Sequence, residues 1–252
     1  QAVYHPASPL VKPEHPWERT PKGAASMVFS DGVWFDPADR LFKMWYMAGY
    51  WGTLAYAVSE DGIRWTKPKL DVVPGTNVVL EKPHGSTTVW LDRDATNPAR
   101  RFLLFRQCSS TIARFCLHYS PDGIHWSEEV ARSGLVKDRS TIFYNPFRKV
   151  WVYSLRYSGA NGRVRHYREN RVPEAGMNWQ RHEPAPWVGA DRLDPRRADI
   201  GSPCQLYNLD AAGYESVLLG LFSVLRGQPA GRPKINEVVA GYSRDGFHWH
   251  RP

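Results

Sequence analysis

Cysteine is scarce in this 252-residue chain: only Cys108, Cys116 and Cys204 occur. Three thiols at irregular spacing make neither a disulfide framework nor a zinc site, both of which use paired short spacings. Cys108 and Cys116 could pair across a hairpin, but their residue type is read here as buried thiols. Long apolar runs are absent as well. The longest, Val217 to Val224, is interrupted by Gly220 and falls far short of the roughly 20 residues of a membrane-spanning helix, so no membrane partner is expected. Residues 1–20 carry Pro6, Pro9, Pro13 and Pro16 and no apolar stretch of the kind a signal peptide needs. No helix-turn-helix, zinc-finger or RNP pattern accompanies the formal net charge of +8, and the basic residues are scattered through Arg100-Arg101, Arg163 to Arg168 and Arg196-Arg197. Such scatter can steer anionic ligands. Without a recognition motif it does not point to nucleic acid. His-x-His or His/Asp clusters with metal-ligand spacing are also missing, so neither metal nor cofactor is expected.

What the sequence does have is a repeat. Ser59-Glu60-Asp61-Gly62-Ile63-Arg64-Trp65 returns as Ser120-Pro121-Asp122-Gly123-Ile124-His125-Trp126 and as Ser243-Arg244-Asp245-Gly246-Phe247-His248-Trp249. The second interval between Asp-Gly pairs is about twice the first, so a degenerate copy is expected between them, at Gly176-Met177-Asn178-Trp179. An alternating, β-branched and aromatic segment precedes each copy: Leu54 to Val58, Ala113 to Tyr119, Arg163 to Tyr167 and Glu237 to Tyr242. That pattern predicts a strand.

Upstream of each lies a predicted hairpin. The four are Gly32 to Met47 around Asp36-Pro37-Ala38-Asp39, Thr87 to Arg106 around Asp92 to Ala99, Thr141 to Arg156 around Asn145-Pro146-Phe147, and Pro203 to Phe222 around Asn208 to Gly213. Each unit therefore reads as three strands, an Asp-Gly turn and a fourth strand carrying the Trp, which wedges between neighbours. Four antiparallel strands repeated radially describe a propeller blade. The expected fold is all-β, a β-propeller of four-stranded antiparallel blades at about 21–70, 84–130, 138–183 and 199–252. A strap at 1–20 leads into it.

The residues Phe42-Lys43-Met44-Trp45-Tyr46 and Ala55 to Pro68, with Tyr207 to Phe222 and Gly231 to Pro252, resemble the repeat of the five-bladed glycoside-hydrolase-like propellers, the superfamily of families 32, 43 and 62. They are similar in particular to a mostly uncharacterised bacterial group within it. The resemblance spans residues 15 to 252 and implies a fifth blade beyond the four visible here, a carbohydrate substrate and a secreted or periplasmic setting. The invertase-type signatures Trp-Met-Asn-Asp-Pro-Asn, Arg-Asp-Pro and Glu-Cys are absent, so a fructofuranosidase assignment does not follow.

Propeller ligands bind at the axis, where the first strand of each blade begins and the connection from second to third strand returns. The first set of positions holds Asp31, His84, Asp138 and Asp199; the second holds Trp51, Arg106, Arg156, Arg226 and Glu237. Glycosidases divide acid, base and orienting roles among carboxylates. Here Asp31 is the candidate base and Asp138 the orienting group. The acid is Glu237 or Asp199, Glu237 by resemblance to the late Glu of family-43-type chains. Trp51, His84, Arg106, Arg156 and Arg226 are the candidate sugar-binding residues, since aromatic rings and guanidinium groups suit sugar faces and carboxylates. Glu215, on the second strand, is an alternative acid whose mid-strand place favours a structural role, and the Arg163 to Arg168 run is expected to be a solvated strand face. A calcium ion at the axis stays open, because backbone carbonyls converge there. The alternative to a hydrolase is a non-catalytic propeller that binds glycan or protein at the same face. A sialidase-like enzyme would need a Tyr–Glu nucleophile pair, and the sequence marks none.

Overall fold

The computed structural model describes residues 3–28, 30, 32–81, 85–108 and 113–251. Two short strands, β1 (Arg19–Thr20) and β2 (Gly23–Ala24), pair with each other and precede four antiparallel sheets. The first sheet contains β3 (Ser26–Met27), β4 (Val33–Asp36), β5 (Leu41–Ala48), β6 (Thr53–Ser59) and β7 (Val78–Leu80), with β3 and β4 both pairing β5. The second is ordered β11-β10-β9-β8, from β8 (Thr87–Leu91), β9 (Phe102–Gln107), β10 (Arg114–Ser120) and β11 (Ala131–Leu135). The third runs in chain order through β12 (Thr141–Asn145), β13 (Val150–Gly159), β14 (Gly162–Asn170) and β15 (Ala185–Val188), with the one-turn helix α1 (Pro173–Gly176) before its last strand. The fourth has three strands, β16 (Gln205–Tyr214), β17 (Val217–Gly227) and β18 (Ile235–Ser243). These sheets are four blades of a β-propeller.

The chain divides into two compact units, Gln1–Cys108 with Cys116–Val130 and Ser109–Phe115 with Ala131–Pro252. In the first, β5 is buried on both faces, as a continuous apolar strand requires. One face sends Trp45 into a cluster with Leu54, Tyr56, Val89, Phe102 and Leu104, against which Trp126 of the second repeat packs. The other face presents Met44, Tyr46 and Ala48, covered by Val11, Trp17 and Trp65. The N-terminal segment is thus tied across the first sheet. Glu18, fully buried, accepts from the main-chain N–H groups of Glu14 and His15, from Ser26 and Tyr46, and from Lys67 Nζ at 2.7 Å. In the second unit, Leu206, Leu209, Phe222 and Val224 form a core joined by Trp187 and Trp249.

The three intact repeats fold alike. Ser59 Oγ accepts from the Gly62 N–H, while Asp61 Oδ1 accepts from Ile63 and Arg64, and the pattern recurs at Ser120 and Asp122 and at Ser243 and Asp245. This is a side-chain-stapled turn. It turns the chain back onto the third strand, where Thr66 pairs with Val58 and His250 with Tyr242 in single bridges. Trp65 and Trp249 themselves lie outside named strands, and the longer pairing strands β7, β11 and β15 come later than expected.

Three further expectations are corrected. The tip of the last hairpin is at Glu215, φ 48°, rather than at Asn208 to Gly213; a bulge between Leu206 and Asn208 lets those polar residues stay within β16. Glu215 is therefore a turn residue, not a mid-strand one. Cys108 and Cys116 form a disulfide, their Cα atoms 5.6 Å apart. Cys108 follows the end of β9 and Cys116 lies in the neighbouring β10, which brings them within bonding reach.

Candidate active site

In the second unit two of the predicted carboxylates, Asp138 and Glu237, pair with two of the predicted arginines, Arg156 and Arg226. Asp138 stands in the connection from β11 to β12, beside Arg139, whose φ of 63° is a left-handed conformation. Its carboxylate is ion-paired with Arg156 of β13. The pair is braced from behind, since Ser140 Oγ donates to Lys137 O at 2.9 Å and accepts from the Arg156 N–H at 2.9 Å. Glu237, third residue of β18, pairs with Arg226 of β17, both Nε and Nη2 lying 2.7 Å from Oε2. Arg226 is shared: its Nη1 lies 3.7 Å from the buried Asp194, which Arg251 also holds at 2.8 Å. Asp199 is exposed and gripped by Arg197, at 3.1 and 2.8 Å. That bond holds the Asp199 carboxyl below the usual carboxylate range. Arg197 in turn feels the charges of Glu237 and Arg226, so the two pairs share one electrostatic neighbourhood.

Arg165 overturns the reading of residues 163 to 168 as a solvated face. It stands opposite Arg156 in the β13–β14 register and is completely buried. The guanidinium donates to Arg139 O at 2.7 Å, to Ser154 Oγ at 3.0 Å and to Ser154 O. Burial pulls it down to about 9, with the nearby Asp210 working the other way. Strand alternation says that Arg165 shares a face with Arg163 and Tyr167, but not that the face is covered. Further along, Arg163 donates to Gln205 Oε1 at 2.7 Å and lies 4.9 Å from the Tyr207 ring centre, with Lys234 5.6 Å from the same ring.

In the first unit, Trp51 takes a left-handed φ of 58°, and its ring lies against Gly85, where an added Cβ would come within 2.6 Å of the indole. Lys22 sits 5.3 Å from the Trp51 ring centre. Arg106, predicted to bind sugar, is buried, and its Nε donates to His118 Nε2 at 3.1 Å, while His118 Nδ1 is 2.8 Å from Ser127 O. Burial lowers the His118 pKa against the pull of the Ser127 carbonyl, with the Arg106 charge adding to the lowering, which favours the neutral ring this bond requires. Asp31 and His84 lie outside the described residues. Cys108, Cys116 and Glu129 bring three potential metal-ligand atoms within 4.8 Å, but the two sulfurs are bonded to each other and do not offer thiolates.

No protein-family model matches the sequence, and no curated protein does. Solved structures do. A thermostable family-43 glycoside hydrolase matches with a TM-score of 0.60 at 8% identity, covering 93% of this chain and 74% of the other. An endo-1,4-beta-xylanase from Bacteroides thetaiotaomicron matches at 0.57 and 11% identity, over 88% of this chain and 74% of that one. An endo-arabinase from the same organism matches at 0.58 and 8% identity, over 93% and 82%. At these identities the likeness concerns the fold, and the chain has the β-propeller fold of glycoside hydrolases.

Proposed function

We propose that the protein hydrolyses glycosidic bonds in a polysaccharide or oligosaccharide, with Glu237 as the general acid and Asp138 as the carboxylate that orients and tunes. Asp31 keeps the base role on its sequence position. What supports the reading is that, on a fold of glycoside hydrolases, one compact unit carries the three candidates Asp138, Asp199 and Glu237, each beside a guanidinium group. Asp199 is the weaker acid candidate: Arg197 favours its ionised form, and an acid must carry a proton at the moment of bond cleavage. Glu237 differs because its partner is shared. Movement of Arg226 toward Asp194 would release Glu237 to take up a proton and pass it to the leaving oxygen.

The second reading, a non-catalytic glycan-binding propeller, is favoured by the same pairing, because a carboxylate that keeps its arginine is a poor acid. A screen of aryl-glycosides and polysaccharides separates the two. Hydrolysis by the parent protein with a loss of about 10²–10⁴-fold in Glu237→Gln supports the enzyme. Binding without turnover by the parent supports the second reading, and full activity in both Asp138→Asn and Glu237→Gln would remove these residues from the mechanism.

A further inference from the structure

A cavity of about 440 Å³ opens in the second unit between the segment entering β12 and the β13–β14 hairpin. Its size falls within the range of about 300–1,000 Å³ usual for small-ligand sites. Ala113, Leu135 and Val136 make an apolar wall, and the Tyr157 ring, stacked at 3.9 Å on His166, makes another. Charge at the rim has one sign. Lys137, Arg156 and Arg181 border the cavity, and among the described residues no carboxylate does. Arg156 has Asp138 as its counter-ion, whereas the Lys137 ammonium, among the described residues, bonds the Ser158 hydroxyl, 2.9 Å away. Arg181 has no carboxylate partner among the described residues.

The walls are fixed before any ligand arrives. Tyr157 Oη donates to Arg181 O at 2.7 Å, which fastens the strand to the segment beyond α1, and the Val136 N–H donates to Ala113 O at 2.9 Å. Preorganised walls lower the ordering cost of binding. We infer that this cavity binds a uronate residue of the glycan, its carboxylate held by Lys137 and Arg181 and its ring set against Tyr157. Two observations carry this: a rim with two cations that no carboxylate among the described residues neutralises, and apolar walls suited to the C–H face of a sugar. The inference rests on the carbohydrate reading above. It also extends that reading, since Arg156 links the cavity directly to Asp138.

The test is calorimetric titration of the full chain with oligogalacturonate, a neutral arabino-oligosaccharide and a sulfated oligosaccharide, with hydrolysis of each followed in parallel. Oligogalacturonate is expected to bind at least about tenfold tighter than either of the others. Lys137→Ala and Arg181→Ala should each weaken that binding by about tenfold or more, as for the loss of one charge-assisted hydrogen bond, while Lys137→Arg retains it. Equal affinity for the neutral glycan, tighter binding of the sulfated one, or alanine variants that bind like the parent would overturn the inference. Selective uronate binding without turnover would support it and count against hydrolysis. Turnover of the neutral glycan with no uronate preference would do the reverse.

Discussion

The indole N–H of Trp45 donates to the carbonyl of Gly123 at 2.7 Å across 78 residues of sequence, joining the centre of the first sheet to the Asp-Gly turn of the second repeat. Gly123 has φ 81°, and a Cβ there would meet the Trp45 ring at 2.3 Å. Gly62, at the same place in the first repeat, has φ 72° but no neighbour closer than 3.8 Å. Gly62→Ala therefore costs only the left-handed backbone penalty, roughly 1–2 kcal/mol. Gly123→Ala adds overpacking of roughly 1–3 kcal/mol more. Urea unfolding midpoints should rank parent, Gly62→Ala and Gly123→Ala in that order, and equal midpoints for the two variants would show that the turn does not dock on Trp45.

Glu18 makes the first unit acid-sensitive. Burial alone would raise its pKa, but Lys67, the two N–H groups of His15 and Glu14, and Tyr46 together bring it down to about 2. The folded value lies below the unfolded one, so the stabilisation is complete above about pH 4.5 and disappears as pH falls through about 2. Glu18→Gln should lose about 3 kcal/mol at neutral pH. The gap between variant and parent, read from unfolding midpoints over pH 6 to 2.5, should narrow steadily below pH 4.5. A constant gap would mean that the charge of Glu18 contributes nothing.

Much of the blade pattern could be read from residues because it is local. Asp36 and Asn145 initiate their hairpins through bonds to the N–H groups of Ala38 and of Phe147, a device that the sequence displays directly. Period-two alternation likewise marked β6, β10, β14 and β18. The bounds of the fourth strands escaped because re-entry to the sheet after the Trp is a single bridge, Thr66 with Val58, and the chain then runs through 67–77 before β7. Arg165 escaped for another reason: alternation assigns a side chain to a face, and only the packing of other strands decides whether that face is wet. The arginine pairs of Asp138 and Glu237 join residues 18 and 11 positions apart, one from a connection to a strand and one across two strands, which short motifs do not encode.

The disulfide between Cys108 and Cys116 closes a short loop, with a sequence separation of 8. The chain-entropy estimate for such a loop is about 2 kcal/mol. Reductant should therefore lower the thermal midpoint of the parent protein. The double variant Cys108→Ala, Cys116→Ala should start from that lower midpoint and show no response to reductant. A parent indifferent to reductant, with thiols that remain free to alkylating reagent before reduction, would contradict the bond.

Arg165 donates from a completely buried guanidinium to Arg139 O, Ser154 Oγ and Ser154 O. A cation in such a place is expensive, yet removing it takes all of these hydrogen bonds out of the interior of the second unit. Arg165→Met should destabilise by about 3–5 kcal/mol, the range for breaking a buried charged network. Arg165→Lys keeps the charge but cannot span Arg139 O, Ser154 Oγ and Ser154 O with one ammonium, and should lose at least about 2 kcal/mol. Arg139 is the residue after Asp138, so loosening its carbonyl should also disturb the Asp138–Arg156 pair. If Arg165→Met unfolds at the same urea concentration as the parent, the guanidinium is not what fixes this connection, and Asp138 is held by Arg156 and Ser140 without it.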